Sequence, residues 1–249
     1  MDVKSTVLLS GEVALRRRLD VVANNIANMN TTGVKRETPI FHSYVEKMKD
    51  APVAAPGAKT LSYVLDYGTM HDTSAGAFKP TGNPFDFMIN GDGYFAVQMP
   101  DGGTAYTRNG HFEMSPEGVL VDADGRAVLS AEGQPIQIDP AARAQVSVAG
   151  NGSIRGPEGE IARIGITRFN DEAFVEQRGD GLFNGQNGTV VAGDAVILKV
   201  GGLEGSNVNG VVETADLVEV QRRYQTSRNM SEGLNELRKT AIARLGRAE

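Results

Sequence analysis

Only the two ends of this 249-residue chain carry helical periodicity, and almost everything between them is cut into short runs by tight turns. Near the start, Leu8, Leu15, Val22 and Met29 recur every seven residues, with Leu19 and Ile26 interleaved. That alternating spacing of three and four is the seam of a packed helix. Ser5 and Glu12 interrupt it, and Arg16, Arg17 and Arg18 lie beside it. Residues 2–29 contain no proline and read as one helix, closed by the turn formers Asn28, Asn30, Thr31, Thr32 and Gly33. From Val211 to about Leu245 the chain again lacks proline. Leu217, Val220, Tyr224, Ser227, Leu234 and Ala241 mark one stripe, with Met230, Leu237 and Leu245 alongside and Asn207 or Asn209 placed to cap the start.

Between these helices the period falls to that of strands. Phe85–Ile89, Tyr94–Gln98, Thr104–Arg108, His111–Met114, Val119–Val121 and Arg126–Leu129 are separated by Asn-Gly, Asp-Gly and Ser-Pro-Glu-Gly turns. Such pairs supply the positive φ angles of tight hairpins. Later runs at 136–138, 146–148, 161–169 and 196–200 continue the pattern. The expected fold class is α+β, with a discontinuous, coiled-coil-like pair of terminal helices bracketing an antiparallel all-β domain. The expected partition is 1–30 plus 211–249 for the helical part, 31–75 for an extended connecting region, 76–203 for the β-domain and 204–210 for the return connection. Ala51–Gly57 reads as linker by composition.

The helical ends point to assembly. One helix pair has a core too narrow to offset the ordering of both helices, which costs on the order of 1 kcal/mol or more per residue. Packing against copies or relatives of the chain supplies the missing core.

Several chemistries are excluded or disfavoured. There is no cysteine, so disulfides, thiolate metal sites and cysteine nucleophiles are out. His42, His71 and His111 are scattered, and the net charge of −6 argues against nucleic acid as the main partner. Asp122 and Asp124 resemble a metal or acid–base pair, but their Asp-x-Asp-Gly setting is that of a turn, and Arg126 stands where a third oxygen ligand would be. Gly91-x-Gly93 and Gly150-x-Gly152 lack the third glycine and the following helix of a dinucleotide site. No Gly-x-Ser-x-Gly elbow is present. No catalytic residue, metal site, cofactor or small-molecule substrate is expected. A carbohydrate-active β-domain using turn aspartates is the alternative from a different class. Residues 1–30 have no apolar run of the length of a secretory signal.

Three regions of the chain carry a family resemblance. Val22–Arg36, containing Asn24-Asn25-Ile26-Ala27-Asn28 and Gly33, resembles the N-terminal signature of bacterial flagellar rod and hook proteins. Thr32 stands where that family usually has proline, and Val34 where it has an aromatic residue. Phe85–Phe95, with Gly91 and Gly93, and Tyr106–Phe112 resemble its middle segments. Leu203–Asn209, with Gly205, Asn207 and Asn209, and Glu219–Gln225 resemble its C-terminal part. Length and the ending Lys239–Arg247 are most similar to the proximal-rod members, with distal-rod or hook-type axial proteins as rivals. The resemblance implies a structural subunit of the periplasm-spanning basal-body rod, needed for motility and exported without a cleaved signal through the flagellar type III apparatus. Its implied partners are itself and other proximal and distal rod subunits. Leu8, Leu15, Leu19, Val22 and Ile26 are then expected to pack against Leu217, Val220, Tyr224, Leu234 and Leu237 within and between subunits. The helices are expected to be largely disordered in the free monomer and to fold on assembly.

Overall fold

The computed structural model describes residues 3–47, 60–169, 175–178, 181–191 and 193–245. The Ala51–Gly57 stretch and the end of the basic tail, Gly246 and Arg247, lie outside these. Two helices and many short antiparallel strands make the fold α+β. The chain divides into two compact units. One comprises Met1–Ala27, Glu37–Met70 and Asn209–Glu249; the other, Asn28–Arg36 and His71–Val208.

The first unit holds helix α1 (Val3–Ala27), helix α2 (Gly210–Leu245) and strands β1 (Glu37–Lys47) and β2 (Thr60–His71), the last residue of β2 falling in the other unit. Strands β1 and β2 pair in a two-stranded sheet. Helix α1 packs on both α2 and β1. The Val64 N–H donates to the Ser10 hydroxyl at 3.4 Å, and Arg17 pairs with Asp66 at 3.4 Å. Within the 31–75 region read as a connector, Glu37–Lys47 and Thr60–His71 are paired strands, and residues 31–36 and 71–75 fall in the second unit. Extended sequence looks the same whether or not it has a partner, because pairing is decided by residues distant in the chain.

Helix α1 contains Gly11 and α2 contains Gly233, and a Cβ added at either meets nothing within 4 Å. Glycine inside a helix loses backbone entropy that alanine does not. Gly11→Ala and Gly233→Ala should each stabilise its helix by about 0.5–1 kcal/mol, read as a gain in far-UV circular dichroism and thermal midpoint. A drop in either would show that the bare backbone is required there.

The second unit is the β-domain. Its largest sheet has six strands in the order Val175–Gln177, Phe183–Gly185, Thr104–Thr107, Tyr94–Gln98, Ile166–Arg168, Thr189–Val190. The unit also holds smaller sheets of two or three strands. Phe87, Phe95, Phe112, Leu120, Ile138 and Ile154 are all fully buried in its core. Each apolar side chain of that size contributes roughly 1.5–3 kcal/mol when withdrawn from water. Tyr94, Phe169 and Phe183 form a second cluster with Tyr106 against it. Between the runs at 136–138 and 146–148, Pro140–Gln145 winds into a 3₁₀ turn, capped by Asp139 accepting from the Ala141 N–H.

Candidate functional site

The helical unit and the β-domain each gather residues expected to matter, and each does so through a different kind of contact.

In the helical unit, α2 turns a narrow stripe inward. Glu213 and Val220 are its only fully buried residues among those described. Leu217, Tyr224, Ser227 and Leu234 are half-buried on the same stripe. From α1, Val22 is buried at 4% exposure and Leu8, Leu15, Leu19 and Ile26 are half-buried. Leu237 does not join this stripe within one chain: it is 69% exposed, and half-buried Arg238 takes the inward position. The three-and-four spacing continues from Leu234 to Arg238, so Leu237 falls on the flank. Exposed Val211, Ile242 and Leu245 add to a helix that leaves most of its apolar surface bare.

Asn25 fixes the end of this seam. Its Nδ2 donates to the Glu37 carbonyl at 2.9 Å and to Glu213 Oε2 at 3.1 Å, and its Oδ1 accepts from the Glu37 N–H at 2.9 Å. Asn25 is 2% exposed and Glu213 fully buried. One amide thus ties the last turn of α1 to the first residue of β1 and the first turn of α2. Asn209 caps α2, its Oδ1 accepting from the Val211 and Val212 N–H groups at 3.1 and 3.4 Å. Glu213 near that N-terminus also suits the helix dipole. Asn24 and Ala27 face solvent, and Asn28 accepts from the Thr31 hydroxyl at 3.4 Å in the turn after α1.

In the β-domain, three passages of chain converge: 33–36, 72–77 and 204–207. Gly33, at φ 72, lies so close to the Arg108–Asn109 peptide that a Cβ would sit 2.6 Å from the Arg108 carbonyl carbon. Its N–H donates to the Glu204 carbonyl at 2.9 Å. Asn207 accepts from the Arg36 N–H at 2.7 Å and donates to the Asp72 and Ser74 carbonyls at 2.8 and 3.1 Å. The Gly205 N–H donates to the Ala77 carbonyl at 2.8 Å. Buried among them, Lys35 Nζ donates to Glu204 Oε1 at 2.6 Å and to the Ser74 carbonyl at 2.8 Å. Burial pushes the Lys35 ammonium below its ordinary pKa, against the Glu204 hydrogen bond, which raises it. Hydrogen bonds from Ser74 hold the exposed Asp72 carboxyl below its usual range.

Gly33, Gly205 and Asn207 of the expected signature therefore meet in one place. Gly91 and Gly93 serve elsewhere: Gly93 at φ 133 lets the strand at 94–98 approach Ile166, and Gly91 takes its φ of 116 in the preceding turn. Nothing in the sequence singles out Lys35, Arg108 and Glu204, although each sits inside a segment that resembles the family. A charged residue in a strand or turn carries no mark of burial until its counter-ion is found.

The turn aspartates are occupied by structure. Asp122 accepts from the Asp124 and Arg126 N–H groups at 3.0 and 2.8 Å and from Arg126 Nε at 2.6 Å, and Arg126 also pairs with Asp124. Asp86 accepts from the Thr81 hydroxyl at 2.5 Å and the Asn83 amide at 3.0 Å, and lies 2.8 Å from His111 Nδ1.

Comparison with known proteins aligns with this layout. Residues 7–35 match the family model for flagella basal body rod proteins. Residues 88–156 match the D1 domain of the flagellar hook protein FlgE/F/G family, and residues 199–244 the C-terminal region of flagellar basal body rod FlgEFG proteins. The chain is 39% identical over 249 residues to the flagellar basal-body rod protein FlgF of Caulobacter vibrioides, covering 99% of each chain. The chain belongs to the flagellar basal-body rod proteins. To the FlgF protein of Mesorhizobium japonicum this rod protein is 36% identical over 223 residues, 89% of its own length and 88% of the relative's. To the FlgG protein of Caulobacter vibrioides it is 30% identical over 241 residues, 87% of its own length and 89% of the relative's. The rod family is structural, not a family of enzymes. Its membership places this chain in the flagellum, assembled with other flagellar components. Of the buried charged residues, Lys35 closes the first matched segment, Arg108 lies in the second and Glu204 in the third.

Proposed function

We propose that this rod subunit builds the proximal rod, the part of the periplasm-spanning drive shaft nearest its base, by polymerising through its terminal helices. The carrying observation is the thin seam. A 36-residue helix with two fully buried residues among those described gains little from one neighbour, while Val211, Leu237, Ile242 and Leu245 stand bare. Leu8, Leu15, Leu19, Val22 and Ile26 then pack with Leu217, Val220, Tyr224 and Leu234, coiled-coil-like, within a chain. Leu237 and the other bare residues pack against copies of this chain and other rod subunits. On this reading the helices order fully only on assembly, and the chain reaches its place through the flagellar type III export apparatus. The proximal assignment is supported within one organism: identity to the FlgF protein of Caulobacter vibrioides is 39%, and to its FlgG protein 30%.

An in-frame deletion should abolish swimming, and antibody to the chain should label purified basal bodies from the parent strain. A fully motile deletion strain would sink the proposal. A non-motile strain whose protein is found with the distal rod would move the subunit along the same shaft.

A further inference from the structure

Two cations and one carboxylate are shut into the β-domain where its three passages meet. Lys35 is 3% exposed, Arg108 2% and Glu204 1%. Glu204 Oε1 accepts from Lys35 Nζ and, at 2.9 Å, from the Gly76 N–H. Its Oε2 lies 3.6 Å from an Arg108 terminal nitrogen, an ion pair too long for a hydrogen bond, and neither atom has a hydrogen-bond partner among the described residues. The Arg108 guanidinium carbon sits 5.2 Å from the centre of the Tyr94 ring, whose face offers partial negative charge. Asp72 also acts on Lys35, but it is exposed and its field is weakened by water. The buried cluster therefore holds one positive charge in excess.

Such a cluster is a poor way to gain stability. Apolar side chains of the same volume often do as well or better, whereas leaving one ion unpaired is severely destabilising. What buried charges add in some proteins is refusal of wrong arrangements. Lys35 comes with the first passage, Arg108 with the central strands and Glu204 with the last, so a misplaced last passage leaves two cations in the core without their counter-ion. We propose that Lys35, Arg108 and Glu204 form a charge-balance lock, in which Glu204 is the counter-ion that lets the cation-bearing passages close into the β-domain in register. Closure then depends on the count of charges more than on the Lys35–Glu204 bond itself. The lock does not depend on where in the rod the chain sits.

Two full-length variants separate these roles, because both remove the same ion pair. Glu204→Gln keeps the shape and an acceptor oxygen but leaves two buried cations. Lys35→Met leaves Arg108 and Glu204 balanced. Urea unfolding of the purified chain should show Glu204→Gln losing on the order of a hundredfold or more in folded-to-unfolded ratio. Lys35→Met should lose about tenfold or less. Hydrogen exchange at the Gly33, Gly76 and Gly205 amides should follow the same order. Glu204→Gln combined with Lys35→Met should be better protected than Glu204→Gln alone, a coupling whose sign marks relief of like charge. Equal losses in the two single variants, or a double variant no better than Glu204→Gln, would overturn the lock. If Glu204→Gln is too unstable to purify, a soluble and protected Lys35→Met chain supports the lock, and a Lys35→Met chain that is equally unstable refutes it.

Discussion

A Val22→Asp chain should keep its β-domain folded and fail to enter the rod. Val22 is 4% exposed on the inward face of α1, close in sequence to the Asn25 tie. An ionised carboxylate placed there without a partner costs several kcal/mol, on the order of 3 or more. The inward stripe of α2 has little else to compensate, since Val220 is its one fully buried apolar residue among those described. Leu234→Asp should act in the same direction through the other helix, where Leu234 is half-buried. Immunodetection in purified basal bodies, with swimming as the second readout, measures incorporation. Limited proteolysis should show the β-domain, Asn28–Arg36 with His71–Val208, protected as in the parent. Normal incorporation of either variant would mean that the seam is not the assembly surface.

Gly76→Ala should have the opposite distribution of effects, damaging the β-domain directly. A Cβ on Gly76 would fall inside the Gly205 carbonyl oxygen and lie 2.8 Å from its carbon, both backbone atoms that cannot swing aside. The same position donates its N–H to Glu204 Oε1, and the Gly205 N–H beside it bonds to the Ala77 carbonyl. Parting these passages breaks both bonds and strains the buried ion cluster. The expected loss is about 3 kcal/mol or more, the range of severe overpacking combined with a broken buried network. Gly150→Ala is the matched control. Its added Cβ meets only the Leu198 carbonyl oxygen, at an ordinary 3.4 Å, so the change should stay within about 1 kcal/mol. Similar urea midpoints for the two variants would show that the passages separate freely.

Much of this protein is legible in its residues. The period-seven spacing of Leu8, Leu15 and Val22 and the proline-free stripe through Leu217, Val220 and Tyr224 locate α1 and α2 to within a few residues. The Asn-Gly and Asp-Gly turns place the strands at 94–98 and 104–107, which pair as hairpin partners with Phe95 opposite Thr107. These features are local: a helix or a tight turn is specified by residues that are neighbours in the chain. The family segments are legible for the same reason, being short and contiguous.

What only the tertiary structure decided is long-range. Glu37–Lys47 and Thr60–His71 are extended in sequence, and pairing made them a sheet against α1. Leu237 fits an apolar helix pattern equally well on the stripe or its flank, and packing put Arg238 inward instead. Above all, Lys35, Arg108 and Glu204 look like ordinary surface charges, separated by 73 and 96 positions. Their meeting in the core depends on three passages closing together, and no local spacing encodes the distance at which one ion finds its counter-ion.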